Sequence, residues 1–158
     1  MPRSPVSLPL HGGCACGALR YTLTSAPLAL LACHCSLCQR QSGSAFGQSL
    51  RVTLADLHLD GPSETRLRDT ERGTKSQMVF CPNCGGRIYN ARPGTPVCHL
   101  RGGTLDDTSW LRPAAHLWTS RAQPWVSFGA GTLIYDGQPD DLQPIVSLWQ
   151  DRFAPEFV

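Results

Sequence analysis

Between residues 18 and 24 apolar and polar side chains alternate, with Leu19, Tyr21 and Leu23 on one face, the period-two pattern of a half-buried strand. Short runs of the same kind predict strands at Leu28 to Ala32, Ala45 to Val52, Gln77 to Phe80, Arg87 to Asn90, Val97 to Leu100 and Thr132 to Tyr135. Turn signals punctuate them, among them Gly12-Gly13, Gly61-Pro62, Gly85-Gly86, Pro93-Gly94, Gly102-Gly103 and Asp136-Gly137. Two stretches follow a helical period instead. Ser36 to Gln41 predicts one short helical turn capped by Ser36, and Asp141 to Arg152 a helix with Leu142, Ile145, Val146 and Trp149 on its apolar face. Pro144 then falls in the first turn, where its missing N–H costs nothing. There is no internal repeat, and the expected fold class is mainly β with short strands.

Composition narrows this picture. The 158 residues can bury one modest core, so a single domain spanning residues 1–158 is expected. Fifteen glycines and thirteen prolines fit many turns between short strands. The 14 basic and 12 acidic residues are spread along the chain and form no basic stripe, so neither nucleic acid nor an anionic membrane surface is an expected partner. The longest apolar stretch, Leu28 to Cys33, falls far short of the roughly 20 residues a spanning helix needs. Met1 to Pro9 holds no apolar run of secretory-signal length. The expected location is the cytoplasm, where closely spaced cysteines are metal ligands more often than disulfides.

The eight cysteines concentrate in Cys14-Ala15-Cys16-Gly17, Cys33-His34-Cys35-Ser36-Leu37-Cys38 and Cys81-Pro82-Asn83-Cys84-Gly85-Gly86. Thiols two or three residues apart on a tight turn can converge on one ion, and Gly17 and Gly85 can take the positive φ that turns backbone amides toward the sulfurs. Structural zinc needs four ligands and one pair supplies half of them. Cys14 and Cys16 with Cys81 and Cys84 therefore make a closed four-thiolate site. Cys33, Cys35 and Cys38 supply three ligands and leave a fourth position open, the arrangement of a catalytic ion. A closed alternative takes its fourth ligand from Cys98, His58, His99 or His116. His34, between two ligands, is expected to point away. Two zinc ions per chain are thus expected. Three thiolates make a bound water less acidic than histidine ligation does, so a sulfur substrate suits this centre better than hydrolysis.

Gly13-Cys14-Ala15-Cys16-Gly17, Tyr21, Cys33-His34-Cys35 with Cys38, Ser42-Gly43, Phe46 and Phe80-Cys81 with Cys84-Gly85 resemble the glutathione-dependent formaldehyde-activating enzyme family, which includes the domain of centromere protein V. Gly103 to Asp107 and His116 to Arg121 with Trp125 extend the resemblance over about Leu10 to Trp125. The resemblance implies a β-tent of antiparallel sheets, a structural zinc on Cys14, Cys16, Cys81 and Cys84, and a catalytic zinc on Cys33, Cys35 and Cys38. It implies a carbon-sulfur lyase of the S-(hydroxymethyl)glutathione synthase type, with glutathione or another small thiol and formaldehyde or another small aldehyde as partners. The family often has Arg directly after the last cysteine of the middle cluster; here Gln39 holds that place and Arg40 follows.

Outside the cysteines the expectations are modest. Asp106-Asp107 reads as a turn cap. His116, Trp118 and Arg121 read as packing residues. The Ser42 hydroxyl or an amide near Gly43 is a candidate donor to a developing alkoxide. Two competing readings stand beside the enzyme: a zinc-stabilised binding module without turnover, and a redox or metal-responsive switch of the middle cysteines.

Overall fold

A computed structural model describes residues 5–70 and 73–158. The stretch at the N-terminus read above for a leader includes residues 1–4, which lie outside the described residues. Among the described residues eleven strands and two α-helices follow in chain order: β1 Leu10–Gly13, β2 Arg20–Leu23, β3 Ala29–Cys33, α1 Ser36–Ser42, β4 Gly47–Thr53, β5 Leu57–Asp60, β6 Glu64–Asp69, β7 Lys75–Phe80, β8 Arg87–Ala91, β9 Val97–Arg101, β10 Ala115–Leu117, β11 Leu133–Tyr135 and α2 Gln143–Arg152.

The mainly β expectation holds, and each predicted strand and helix has a counterpart within about three residues at either end. Strands β1, β5, β6 and β10 were not predicted. β6 is exposed at nearly every position, so it carries no apolar alternation. β10 is three residues long and buried throughout, too short to show a period. Pro144 lies in the first turn of α2 as expected. The cap of α1 is not Ser36 but Cys35, whose Sγ accepts the Cys38 amide.

The strands form a three-stranded antiparallel sheet, β1-β2-β5, and an eight-stranded sheet in the order β11-β10-β3-β4-β9-β8-β7-β6. The expectation of purely antiparallel sheets is corrected here. β10 runs parallel to both β3 and β11, pairing Ala115 with Leu31 and with Leu133. Parallel neighbours need a long connection rather than a hairpin. The chain between β3 and β10 supplies it by passing through six other strands.

Alternation on β4 and β9 separates the core from the site. Leu50 faces Leu100 and Val52 faces Cys98 across the ladder, all four fully buried. The residues between them point to the opposite face, where Ser49 is opposite Arg101 and Arg51 opposite His99. On the core side, α2 packs against β3, and Trp149 sits among Trp110, Phe153 and Phe157 while its indole N–H donates to the Pro27 carbonyl at 3.1 Å. Burying an indole with its N–H satisfied avoids the penalty for an orphaned donor.

Candidate metal centre

The first four thiols come from two turns. Cys14 follows β1, and Gly17 at φ 78° closes the turn by donating its N–H to the Cys14 carbonyl at 3.1 Å. Cys81 follows β7, and Gly85 at φ 70° does the same for the Cys81 carbonyl at 2.9 Å. Side chains at these angles are strained, so glycine is what lets both loops curl around their sulfurs. Cys14 Sγ is 3.5 Å from Cys16 Sγ, and Cys16 Sγ is 3.8 Å from Cys81 Sγ. Four sulfurs at the zinc–sulfur distance of about 2.3 Å in a tetrahedron stand about 3.8 Å apart. The donor set and spacing therefore fit a divalent zinc ion. The Cys14 thiol is lowered to about 6: burial opposes ionisation, but the Leu19 amide and the neighbouring thiols outweigh it.

The second group forms where β3 runs into α1. Cys33 ends the strand, Cys35 caps the helix and Cys38 lies in its first turn. Their sulfurs all lie within 4.8 Å of one another. Among the described residues no other His, Cys, Asp or Glu joins either group. The four candidates for a closing ligand are each engaged elsewhere or misplaced. Cys98 is on the core face, and burial pushes its thiol up to about 12. His58 lies exposed on β5 in the other sheet. His99 Nδ1 is 2.8 Å from Ser49 Oγ, and His116 Nδ1 is 2.9 Å from His34 Nε2. His34 does point away from the thiols, buried against Phe46, His116 and Phe128.

A cavity of about 960 Å³ opens beside the three thiols, with Cys33, Cys35 and Cys38 in its wall. Its other walls are cationic. α1 contributes Arg40, β4 Arg51, β6 Arg68, β7 Lys75, β8 Arg87, β9 Arg101, the loop after β8 Arg92 and the turn at 119–121 Arg121. No Asp or Glu among the described residues lines it. Two of these residues owe their place to local irregularity. A register shift pairs Val79 with Tyr89 but Phe80 with Arg87, which brings Arg87 round to the cavity. A Cβ on Gly47 would lie 2.9 Å from Arg101 Nη1 and 3.3 Å from Cys38 Cβ, so the missing side chain lets Arg101 approach Cys38.

Arg101 is the site residue that sequence reading missed. Burial lowers its pKa, while Cys38 first, then Cys33 and Cys35, pull it back up. The strand at Val97 to Leu100 is legible in the sequence, but Arg101 falls one residue past it, and its place opposite Ser49 and near Cys38 depends on the β4–β9 pairing.

Several sequence expectations change. Ser42 Oγ donates to the Cys38 carbonyl at 2.8 Å, and Gly43 donates its N–H to the Gln39 carbonyl at 2.9 Å as the helix cap. Both donors are committed to ending α1, and neither residue lines the cavity beside the three thiols. Trp118 and Arg121, read as packing, line the cavity, with the guanidinium 4.8 Å from the indole centroid. Trp118 adopts a positive φ of 58°, a strained conformation of the kind that gathers at functional sites. His116 is a packing residue as expected. Asp107 caps a turn by accepting the Ser109 amide at 2.9 Å, whereas Asp106 forms a bidentate pair with Arg20.

The fold and the two thiol groups define a mainly β protein with two candidate metal sites, one of four sulfurs and one of three facing a cavity. Residues 9–121 match the glutathione-dependent formaldehyde-activating enzyme family, and the chain belongs to that family. A Halomonas elongata protein that provisionally carries the name glutathione-dependent formaldehyde-activating enzyme is 24% identical over 156 residues, covering 93% of this chain and 98% of its own. A Rhodobacter sphaeroides protein of known crystal structure superposes with a TM-score of 0.49 at 20% identity, over 79% of this chain and 98% of that one. Among the described residues no helix is long and apolar enough to cross a membrane.

Proposed function

We propose that the protein is a zinc-dependent carbon-sulfur lyase of the S-(hydroxymethyl)glutathione synthase type, joining a small thiol to a small aldehyde. The observation that carries this reading is the three-sulfur group, which has no fourth protein ligand among the described residues and opens on the cavity. Cys14, Cys16, Cys81 and Cys84 take the structural role, tying the turn after β1 to the turn after β7. Cys33, Cys35 and Cys38 take the catalytic role. A zinc ion on these three would offer its fourth position to the substrate sulfur and favour the deprotonated thiol.

The chain's own residues supply the rest. The cavity wall holds thiol and aldehyde together, which converts a bimolecular encounter into a local one. The substrate sulfur adds to the carbonyl carbon, a carbon–sulfur bond forms, the carbonyl π pair moves to oxygen, and the proton lost by the thiol ends on that oxygen. Arg101, a fixed cation beside Cys38, is placed to stabilise the negative oxygen as it develops. The reverse sequence eliminates the thiol. The whole chain acts as one domain in this reading, in the cytoplasm, with a low-molecular-weight thiol, glutathione among the candidates, and formaldehyde or another small aldehyde as substrates.

Two measurements test it. Protein loaded with two zinc ions should consume formaldehyde only when a thiol is present; no thiol-dependent consumption of any small aldehyde sinks the activity. Metal-edge absorption should report one ion with four sulfurs and one with three sulfurs plus a light atom. Four protein ligands at both ions would instead support a binding module without turnover.

A further inference from the structure

The cationic cavity wall is more than a thiol–formaldehyde reaction needs. Ion pairs among the described residues join Arg20 to Asp106, Arg66 to Glu64 and Lys75 to Asp69. Of the eight basic residues lining the cavity, therefore, only Lys75 has a described carboxylate partner, and seven arginines have none. Arg68 Nε is buried and finds no hydrogen-bond partner among the described residues. Three thiolates on a divalent ion leave one net negative charge, which offsets a single arginine. So many like charges around one cavity repel one another and destabilise the fold unless something anionic occupies it.

The arginines are also spread along the trough. Cys33 is opposite Gly47, and Arg51 lies four residues farther along the same face of β4. At about 3.3 Å per residue that is about 13 Å of strand. Next to Arg51 on the sheet come His99 and Asn90, two polar groups on one rung, and Arg68 and Arg92 line the same cavity from β6 and the loop after β8. Planar guanidinium forks of this kind bind phosphate and carboxylate oxygens in pairs.

We infer that the thiol bound at Cys33, Cys35 and Cys38 is a polyanion, whose anionic groups occupy a second subsite formed by Arg51, Arg68 and Arg92 at the far end of the trough. The inference rests on the thiol reading proposed above. The substrate class is a thiol carrying several phosphate or carboxylate groups some distance from its sulfur. An ammonium group meets no described carboxylate in the wall, so a thiol with fewer positive charges is preferred over one such as glutathione.

The test uses the full chain with cobalt in place of zinc. Cobalt–sulfur absorption is followed while mercaptoethanol, glutathione or coenzyme A is added, and coenzyme A serves as the polyanionic probe. Coenzyme A is expected to bind at least tenfold more tightly than glutathione at low salt and to lose that advantage as salt rises. In Arg51→Gln/Arg68→Gln the ratio of coenzyme A to mercaptoethanol affinity should fall roughly tenfold. Equal affinity for the three thiols, or a ratio unchanged in the variant, overturns the inference. A cobalt spectrum silent to every thiol sinks the thiol reading itself. Pyrophosphate and citrate, which lack sulfur, then decide the subsite by calorimetry. Binding to the wild type that is lost in the variant supports it, the stronger of the two identifies phosphate or carboxylate, and no binding of either overturns it.

Discussion

Arg101 reaches Cys38 across the space left by Gly47, placing a guanidinium beside one of three clustered thiols. The charge has two uses in the proposed reaction, offsetting the excess negative charge of the sulfurs and meeting the oxygen that becomes negative. Replacing Arg101 with Met keeps most of the apolar stem and removes the charge. Thiol-dependent kcat/KM for formaldehyde should fall about 10- to 100-fold, the range of one charge-assisted hydrogen bond. Metal content should stay at two ions, which separates a catalytic role from a folding one. Gly47→Ala should produce a similar loss by displacing Arg101.

Gln39 stands where the family often has arginine, and its side chain is occupied with structure. Nε2 donates to the His34 carbonyl at 2.8 Å and to the Arg121 carbonyl at 2.9 Å, and Oε1 accepts from Gln123 Nε2 at 3.2 Å. It thereby links α1 to the turn that carries Arg121. Gln39→Ala leaves two carbonyls without this donor and should cost about 1–2 kcal/mol in chemical denaturation. If Gln39→Ala is as stable as wild type, the link has no structural weight.

The two thiol groups should respond differently to loss of one sulfur. Cys14 and Cys81 are buried and join distant turns, so Cys81→Ser should lower the melting temperature sharply or prevent soluble expression. Cys38→Ser should leave a folded protein with one tightly held zinc and no thiol-induced change in the cobalt spectrum. Metal analysis and thermal denaturation of both variants check this; the opposite ranking would reverse the assigned roles.

His99 gives a pH signature away from the thiols. Burial first, and then the Arg51 charge, hold its pKa down to about 4, below the ordinary value near 6.5. The folded protein thus disfavours protonation relative to the unfolded chain. The associated stability is fully present above about 6.5 and is lost as pH falls through about 4. His99→Gln removes this dependence, so its melting temperature should decline less than that of the wild type between pH 6.5 and 4. Parallel declines would show that His99 does not titrate in this environment.

The fold sets Cys98 apart from any redox switch of the middle cysteines. Its thiol is fully buried in the core opposite Val52, and burial disfavours the thiolate that oxidants attack. Selective modification of Cys98 in the native zinc-loaded protein should therefore be slow, and become fast only on unfolding.

The sequence by itself determined the local chemistry: short strands from period-two alternation, glycine turns around paired thiols, and a count of seven cysteines that divides into four and three. These are readable because a turn of two or three residues brings its own side chains together wherever it sits in the fold. The tertiary structure alone decided what surrounds the three-sulfur group. The parallel position of β10, Arg101 across Gly47, and arginines from six elements and one loop around a single cavity all depend on long-range strand pairing. In the linear sequence those arginines look evenly spread, because a charge's distance along the chain says nothing about which face of a sheet it will share.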